Sequence, residues 1–404
     1  MFEHLDIYSP RERVAVGLAD LGLRAVAAWP RRRPAVGTPR RILLLRLERI
    51  GDLLMSIGAI RAVRRAAPDA RIDLVVGSWN EPIARLLREV DEVEILDAPW
   101  LARNGRGSMR ELVARASRWR ARGYDLAINF EGDIRSNLLP WIAGAPRRVG
   151  FVHAGGGPLL TDRVAHDPRR HVADGGLRLV ERAFAMPAGA LSSVENGTDA
   201  WRLSVPEQAR AAASRVLEST LPGGAPIVAV HVGAGRVVKQ WPPERFGEAA
   251  AILAREHGVG LLFTGTPDEA ALADAAMARA RELGAQAASL SGGTDLVLLA
   301  AVLEQCRLLV TGDTGPMHLA SAVGTPLVAI FGPSMPWRYG PIGPARVVRI
   351  DLPCSPCNRI RRPPRRCTGV VPDCLAGIGV DAVVAAAREL LGGQTTRLQP
   401  AGQP

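Results

Sequence analysis

Three short segments of this 404-residue chain combine residue types that could do chemistry. In LERIGDLLMS, Gly51 and Asp52 directly follow an apolar run. A carboxylate at a strand end and helix start either caps the helix or takes a proton from a bound hydroxyl as a general base. In HVGAGRVVKQWPPERF, His231, Gly233 and Gly235 form a loop after a second apolar run, and Lys239, one of the few lysines, stands beside it. Backbone N–H groups of such a loop can point at an anion, and the lysine can neutralise a phosphate as a point charge. The plainer reading is an ordinary loop with a solvated lysine. In TGDTGPMHLASAVGTPLVAIFG, Asp313 or Thr314 caps a helix that opens at Gly315–Pro316. The free N–H groups and dipole of that helix suit a diphosphate. His318, in its first turn, either reaches the same anion or is buried beside the sheet. More weakly, Asp268 and Glu269 in TGTPDEAALADA follow a strand end, where a carboxylate binds ribose hydroxyls or merely decorates a helix start.

The elements around these segments alternate. RILLLRL, RIDLVVG, VEILDA, YDLAINF and RRVGF read as buried strands separated by helical stretches, one of them running from Gly51 to Ala67. A second series follows: PIVAVHVG, GLLFTG, AASLSG, RLLVTG, PLVAIFG and RVVRI. Alternation of this kind predicts parallel, doubly wound α/β sheets. The expected division is an N-terminal extension over 1–39, a first domain over 40–190, a connection over 191–225, a second domain over 226–375, and a last helix with a polar tail over 376–404. Two such domains in tandem would face one cleft lined by strand C-termini, where ligands of these sheets bind.

Composition narrows the classes. Hydrophobic residues make 47% of the chain and charged ones 23%, as in globular proteins, so disorder is not expected. The net charge is +11 and is carried by arginine. It fits a GC-rich coding sequence or an anionic partner. With 4% aromatics and no nucleic-acid motif, nucleic acid is not the expected partner. The long uncharged window from Thr314 is broken by prolines and glycines, and the first residues lack signal-peptide order, so a cytoplasmic protein is expected. In the extension, Val14, Leu18, Leu21 and Ala25 share a helical face and WPRRRP follows. That helix either packs on the first domain, the favoured reading, or lies on an anionic membrane. Four cysteines, Cys354, Cys357, Cys367 and Cys374, are spaced C-x2-C-x9-C-x6-C in a basic loop over 353–374. They offer a low-ranked structural zinc site, against local packing or an exposed basic loop. Cys306 is read as core.

LLLRLERIGDLLMSIGAIRAVRRAAPDARIDLVVG, YDLAINFEGDIRSNLLPWIAGAPRRVGF, KQWPPERF and TGDTGPMHLASAVGTPLVAIFGP together resemble the heptosyltransferases, glycosyltransferase family 9. The resemblance runs from about Arg41 to the final helix and leaves residues 1–39 outside. It implies a GT-B fold: two Rossmann-like domains, the first for the acceptor and the second for the nucleotide sugar. It implies inverting transfer of a heptose from ADP-heptose to the lipopolysaccharide inner core without a required cofactor or metal. By motif, Asp52 would be the catalytic base and Lys239 would stabilise the donor phosphates. Asp313, Thr314, Gly315 and His318 would hold the diphosphate and sugar, with Glu269 a less secure ribose contact. Gly51 and Gly233 belong to the same loops. The acceptor would be a phosphorylated or acidic glycolipid on the first domain, which carries Arg135, Arg147, Arg148 and the arginines near 103–122, most of them read as solvated surface; the enzyme would work in the cytoplasm or peripherally at the inner face of the cytoplasmic membrane. Another sugar nucleotide and acceptor, or a non-catalytic nucleotide-sugar or glycan binder, are the alternatives.

Overall fold

The structure, a computed structural model, describes residues 2, 4–7, 9–27, 37–101, 108–191 and 198–392. The arginines at 31–33, Arg103, Arg106 and the polar tail after residue 392 lie outside the described residues. The chain forms two compact units, Met1–Ala200 and Trp201–Pro404.

The first unit carries β1 (Arg41–Arg46), β2 (Arg71–Val76), β3 (Glu92–Ile95), β4 (Leu126–Asn129), β5 (Arg147–Phe151) and β6 (Asp162–Val164). All pairings are parallel, and the order across the sheet is β3-β2-β1-β4-β5-β6. The short β6 was not apparent in the sequence. Strands β1 and β4 are apolar almost throughout because helices cover both faces of a parallel sheet. Leu43, Leu45, Val75, Ala127, Leu112 and Trp119 form part of one buried cluster of this unit.

The second unit carries β7 (Ile227–His231), β8 (Gly260–Thr264), β9 (Ala287–Ser289), β10 (Leu308–Gly312), β11 (Leu327–Ile330) and β12 (Ala345–Val348). These are the six runs expected from the sequence. Their order is β12-β11-β10-β7-β8-β9, again all parallel. Read from β9, this is the topology of the first unit repeated. Val228, Val230, Phe263, Trp241, Phe246 and Leu375 pack in its core. Trp241 donates its indole N–H to the Ile378 carbonyl (3.1 Å), which satisfies the one polar atom this large side chain brings into the core.

Both sheets reverse direction of winding between their first and fourth strands: between β1 and β4 in one unit, between β7 and β10 in the other. A crevice opens at such a switch point, outside the strand C-termini, because the helices that follow the two strands leave on opposite faces. The loops after β1, β4, β7 and β10 are therefore the places to look for function.

The N-terminal helix Pro10–Ala27 is present and packs on the first unit. Asp20 accepts a hydrogen bond from Gly156 N (2.7 Å), and Gly17 is buried against Phe2. The contact uses this face, whereas Val14, Leu18 and Leu21 stay exposed. The expected apolar stripe exists, but the opposite side of the helix does the packing.

Candidate active site

At the first unit's switch point, β1 ends in Arg46, a charged residue that is buried. Its guanidinium donates to the carbonyls of Asp52 (3.1 Å) and Phe130 (2.9 Å) and pairs with Glu48 (3.1 Å) and Asp52 Oδ1 (3.4 Å). Asp52 lies within the short helix Ile50–Leu54. The sequence predicts Asp52 at a helix start. Instead Arg49 is the N-cap, Gly51 is buried inside the helix, and Asp52 occupies the third position. There its Oδ2 accepts from Arg49 N (3.1 Å), as the reciprocal half of a capping box does. The helix also breaks at Met55–Ser56 and restarts as Ile57–Ala66 rather than running on unbroken from Gly51. The Asp52 side chain is 25% exposed, so one carboxylate face is held while the group remains open to solvent.

From β4 comes Glu131, which the sequence reading passed over. Its carboxylate accepts from Leu47 N, and its own N–H donates to Asn129 Oδ1 (3.2 Å). Burial first, and then the nearby charge of Glu48, push its carboxyl up to about 8. Beside it, Arg135 pairs with Asp133 (2.6 Å) and lies over the Trp100 ring at 4.6 Å. Arg148, by contrast, is buried and donates to the Leu159 (2.6 Å) and Ala145 (2.5 Å) carbonyls. It supports the loop after β5 and is withdrawn from any acceptor surface. Arg122 is engaged with Asp73 (3.1 Å) and Glu92 (3.1 Å), and Arg147 lies 3.7 Å from Asp162.

At the second unit's switch point, Lys239 from the loop after β7 meets Asp313, the first residue after β10, with Nζ 2.8 Å from Oδ2. Lys239 proves to be the sole lysine of the chain, a signal the count of residue types already held. Thr314 is the N-cap of the helix Gly315–Val323, yet its side chain makes no capping hydrogen bond. Its hydroxyl lies 3.3 Å from that of Thr311. Asp313, the other capping candidate, is directed at Lys239. Thr314 thus leaves the start of this helix without a cap from its own side chain, the kind of arrangement that receives an anion. Gly315 opens the helix and His318 is buried in its first turn.

Gly233 and Glu269 also come together. A Cβ at position 233 would overlap the Glu269 carboxyl, so only glycine leaves that carboxyl where it is. Glu269 accepts from Thr266 N (3.0 Å) and lies 3.9 Å from His231 Nε2. His231 Nδ1 is 3.2 Å from Thr264 Oγ1. Burial pulls the His231 imidazole below its usual value, against the opposing pull of Glu269.

The four cysteines of the basic loop line one cavity of about 470 Å³, together with Arg359 and Arg366. Cys374 is buried and Cys354 and Cys357 are exposed. Among the described residues no group of three or more His, Cys, Asp or Glu is arranged to hold a metal ion. Cys306 is buried, as read, and its thiol donates to the Val302 carbonyl (3.2 Å).

The two doubly wound units thus present an open carboxylate in one and a lysine–aspartate pair beside a helix start in the other. Residues 113–365 match the family model described as Glycosyltransferase family 9 (heptosyltransferase), and the chain belongs to that family. It is a glycosyltransferase, and its fold is GT-B. The matched stretch includes Glu131 and the second unit's cluster, whereas Asp52 precedes it. Lipopolysaccharide heptosyltransferase 2 of Salmonella typhimurium is 28% identical over 317 residues, 77% of this chain and 88% of that protein. The Escherichia coli K12 protein of the same name shows the same identity and coverage. Among solved structures, a family 9 glycosyltransferase from Veillonella parvula is 26% identical with TM-score 0.71, covering 87% of this chain and 97% of that one. The structure of Escherichia coli ADP-heptose lps heptosyltransferase II shares the fold, with TM-score 0.70 at 24% identity and coverage of 88% and 100%.

Proposed function

We propose that this glycosyltransferase moves a heptose from ADP-heptose to a lipopolysaccharide core or a similar phosphorylated or acidic glycan, by direct inverting displacement. The observation that carries the donor half is the Lys239–Asp313 contact beside the uncapped start of Gly315–Val323. Displacement at an anomeric carbon needs charge stabilisation on the leaving diphosphate. Lys239 and the helix amides supply it, in the role a divalent cation fills elsewhere. Thr314, Gly315 and His318 border the diphosphate and sugar, and Glu269, held over Gly233, takes the ribose hydroxyls. In the first unit Asp52 accepts the proton of the attacking hydroxyl, with Arg46 balancing its charge. The names of the relatives support the sugar and the acceptor.

Thermal stabilisation by ADP-heptose over UDP- and GDP-sugars, followed by transfer to heptose-deficient lipopolysaccharide, tests the reading. Stabilisation by another nucleotide sugar alone would reassign the donor, and binding without transfer would make the protein a binder. The low-ranked structural zinc at the four cysteines gains no support from their arrangement, and elemental analysis with and without chelator decides that point. We place the enzyme at the cytoplasmic face of the membrane. No described helix is long and apolar enough to cross a bilayer. The exposed Val14, Leu18 and Leu21 stripe, flanked by Arg11 and Arg24, suits an anionic leaflet. Val14→Ser with Leu18→Ser and Leu21→Ser should lower sedimentation with phosphatidylglycerol vesicles. Unchanged sedimentation removes this surface.

A further inference from the structure

Arg46 and Glu131 belong together. Arg46 closes the end of β1 and Glu131 stands two residues past the end of β4, so the two straddle the switch point. From the β4 side, Phe130 O receives Arg46 Nη1 (2.9 Å) and the Glu131 carboxylate receives Leu47 N. Arg46 then grips Asp52 twice, through its carbonyl (3.1 Å) and its Oδ1 (3.4 Å). Glu131 is itself fixed, through Asn129, to Ser136 (2.9 Å) and Asn137 (2.7 Å) of the following helix. The buried Glu131 side chain is thus tied to Leu47, at the start of the loop that carries Asp52, while its backbone is anchored through Asn129 to the helix after β4.

We propose that Glu131 is a positioning residue for Asp52, locking the β1 loop to the end of β4 so that the Asp52 carboxylate is held at one place and in one charge environment. This rests on the reading of Asp52 as the base. Glu48, Asp52 and Glu131 surround the single buried guanidinium of Arg46, and Asp133 and Arg135 stand at the edge of the group, with Glu12 of the N-terminal helix reaching Arg135 electrostatically. While Glu131 holds its proton, Arg46 serves Glu48 and Asp52. Ionised, Glu131 adds a third negative charge to one guanidinium and competes with Asp52 for it. Burial and the neighbouring Glu48 set that ionisation near pH 8, within the working range of an assay.

The test uses the full chain. Glu131→Gln keeps an oxygen for Leu47 N and cannot ionise, whereas Glu131→Ala removes the tie. Hydrogen exchange of peptides spanning residues 45–55 reads the loop without any substrate. We expect Glu131→Ala to speed exchange at Leu47 and Asp52 by roughly tenfold or more, with Glu131→Gln restoring most of the protection. Wild-type protection should fall as pH rises through about 8, and the Gln variant should lack that step. In transfer assays with ADP-heptose, Glu131→Ala should lower kcat roughly tenfold with little change in the donor KM. Gln should recover most of that loss and flatten the alkaline limb. Wild-type exchange in a folded Ala variant, or an alkaline step that persists in Gln, overturns the proposal. Asp52→Ala is measured alongside. If it still transfers, the base assignment fails and takes this role with it, whereas an inactive Asp52→Ala with wild-type behaviour of the Glu131 variants sinks the positioning role alone.

Discussion

The two units share one topology and use the same switch point for opposite electrostatics. In each, a cation from the first strand or its loop reaches the end of the fourth strand: Arg46 to Phe130 O beside Glu131, and Lys239 to Asp313. In the first unit the cation is buried and outnumbered by Glu48, Asp52 and Glu131. Carboxyl groups thus dominate this switch point. In the second, the lysine faces one carboxylate and an uncapped helix start. There the one cation is matched by one carboxylate beside a helix N-terminus. One repeated scaffold therefore carries a different balance of charges at the same point of each unit.

The largest effect should come from removing the carboxylate. Asp52→Ala is expected to lower transfer by roughly 10²–10⁴-fold, the usual worth of a general base. ADP binding by calorimetry should stay unchanged, since the substitution lies in the other unit. A parallel loss of ADP affinity would break the division of labour. Next is Lys239. Lys239→Ala should reduce transfer roughly 10²–10³-fold and weaken ADP, as loss of a group stabilising leaving-group charge does. Lys239→Arg should recover little, because a compact ammonium 2.8 Å from Asp313 is not replaced by a planar fork. Full activity in the arginine variant would show that any positive charge suffices.

A smaller effect is expected at Gly233. Gly233→Ala drives the added methyl into the Glu269 carboxyl. The donor KM should rise by roughly tenfold, about 1.4 kcal/mol of uniform binding, with kcat little changed. A change in kcat alone would argue that Glu269 acts elsewhere than on bound donor.

The smallest effects separate the units by pH. Glu131 has its carboxyl raised from 4.5 to about 8, so between those values the folded state binds the extra proton. Its contribution is complete below about pH 4.5 and is lost as pH rises toward 8. His231 is lowered by burial, so the unfolded state binds the proton more tightly. Its contribution is complete above about pH 6.5 and is lost as pH falls below that. Glu131→Gln should flatten the decline in Tm between pH 5 and 8. A decline identical to wild type would show that Glu131 is ionised throughout.

Much of this was legible in residue order. The apolar runs and the glycine-rich loops after them announced two parallel sheets, because buried parallel strands read as continuous apolar runs. The β6 strand escaped, since three residues, Asp162, Arg163 and Val164, carry no periodicity. The place of Asp52 within its helix also escaped. An aspartate beside a glycine reads as a cap, and only coordinates show that Arg49 already fills that position.

Sequence by itself determined that the chain is a tandem α/β protein, that Asp52, Lys239 and Asp313 lie just after particular strands, and that its one lysine stands beside a glycine-rich turn. These follow from local pattern, which strand burial and helix starts impose residue by residue. Tertiary structure alone decided which of those residues meet. Glu131 lies 84 positions from Leu47 and Lys239 lies 74 from Asp313, and strand order brings each pair together at a switch point. The raised carboxyl of Glu131 and the lowered imidazole of His231 belong to the same level, because burial and neighbouring charge exist only once the sheet has assembled.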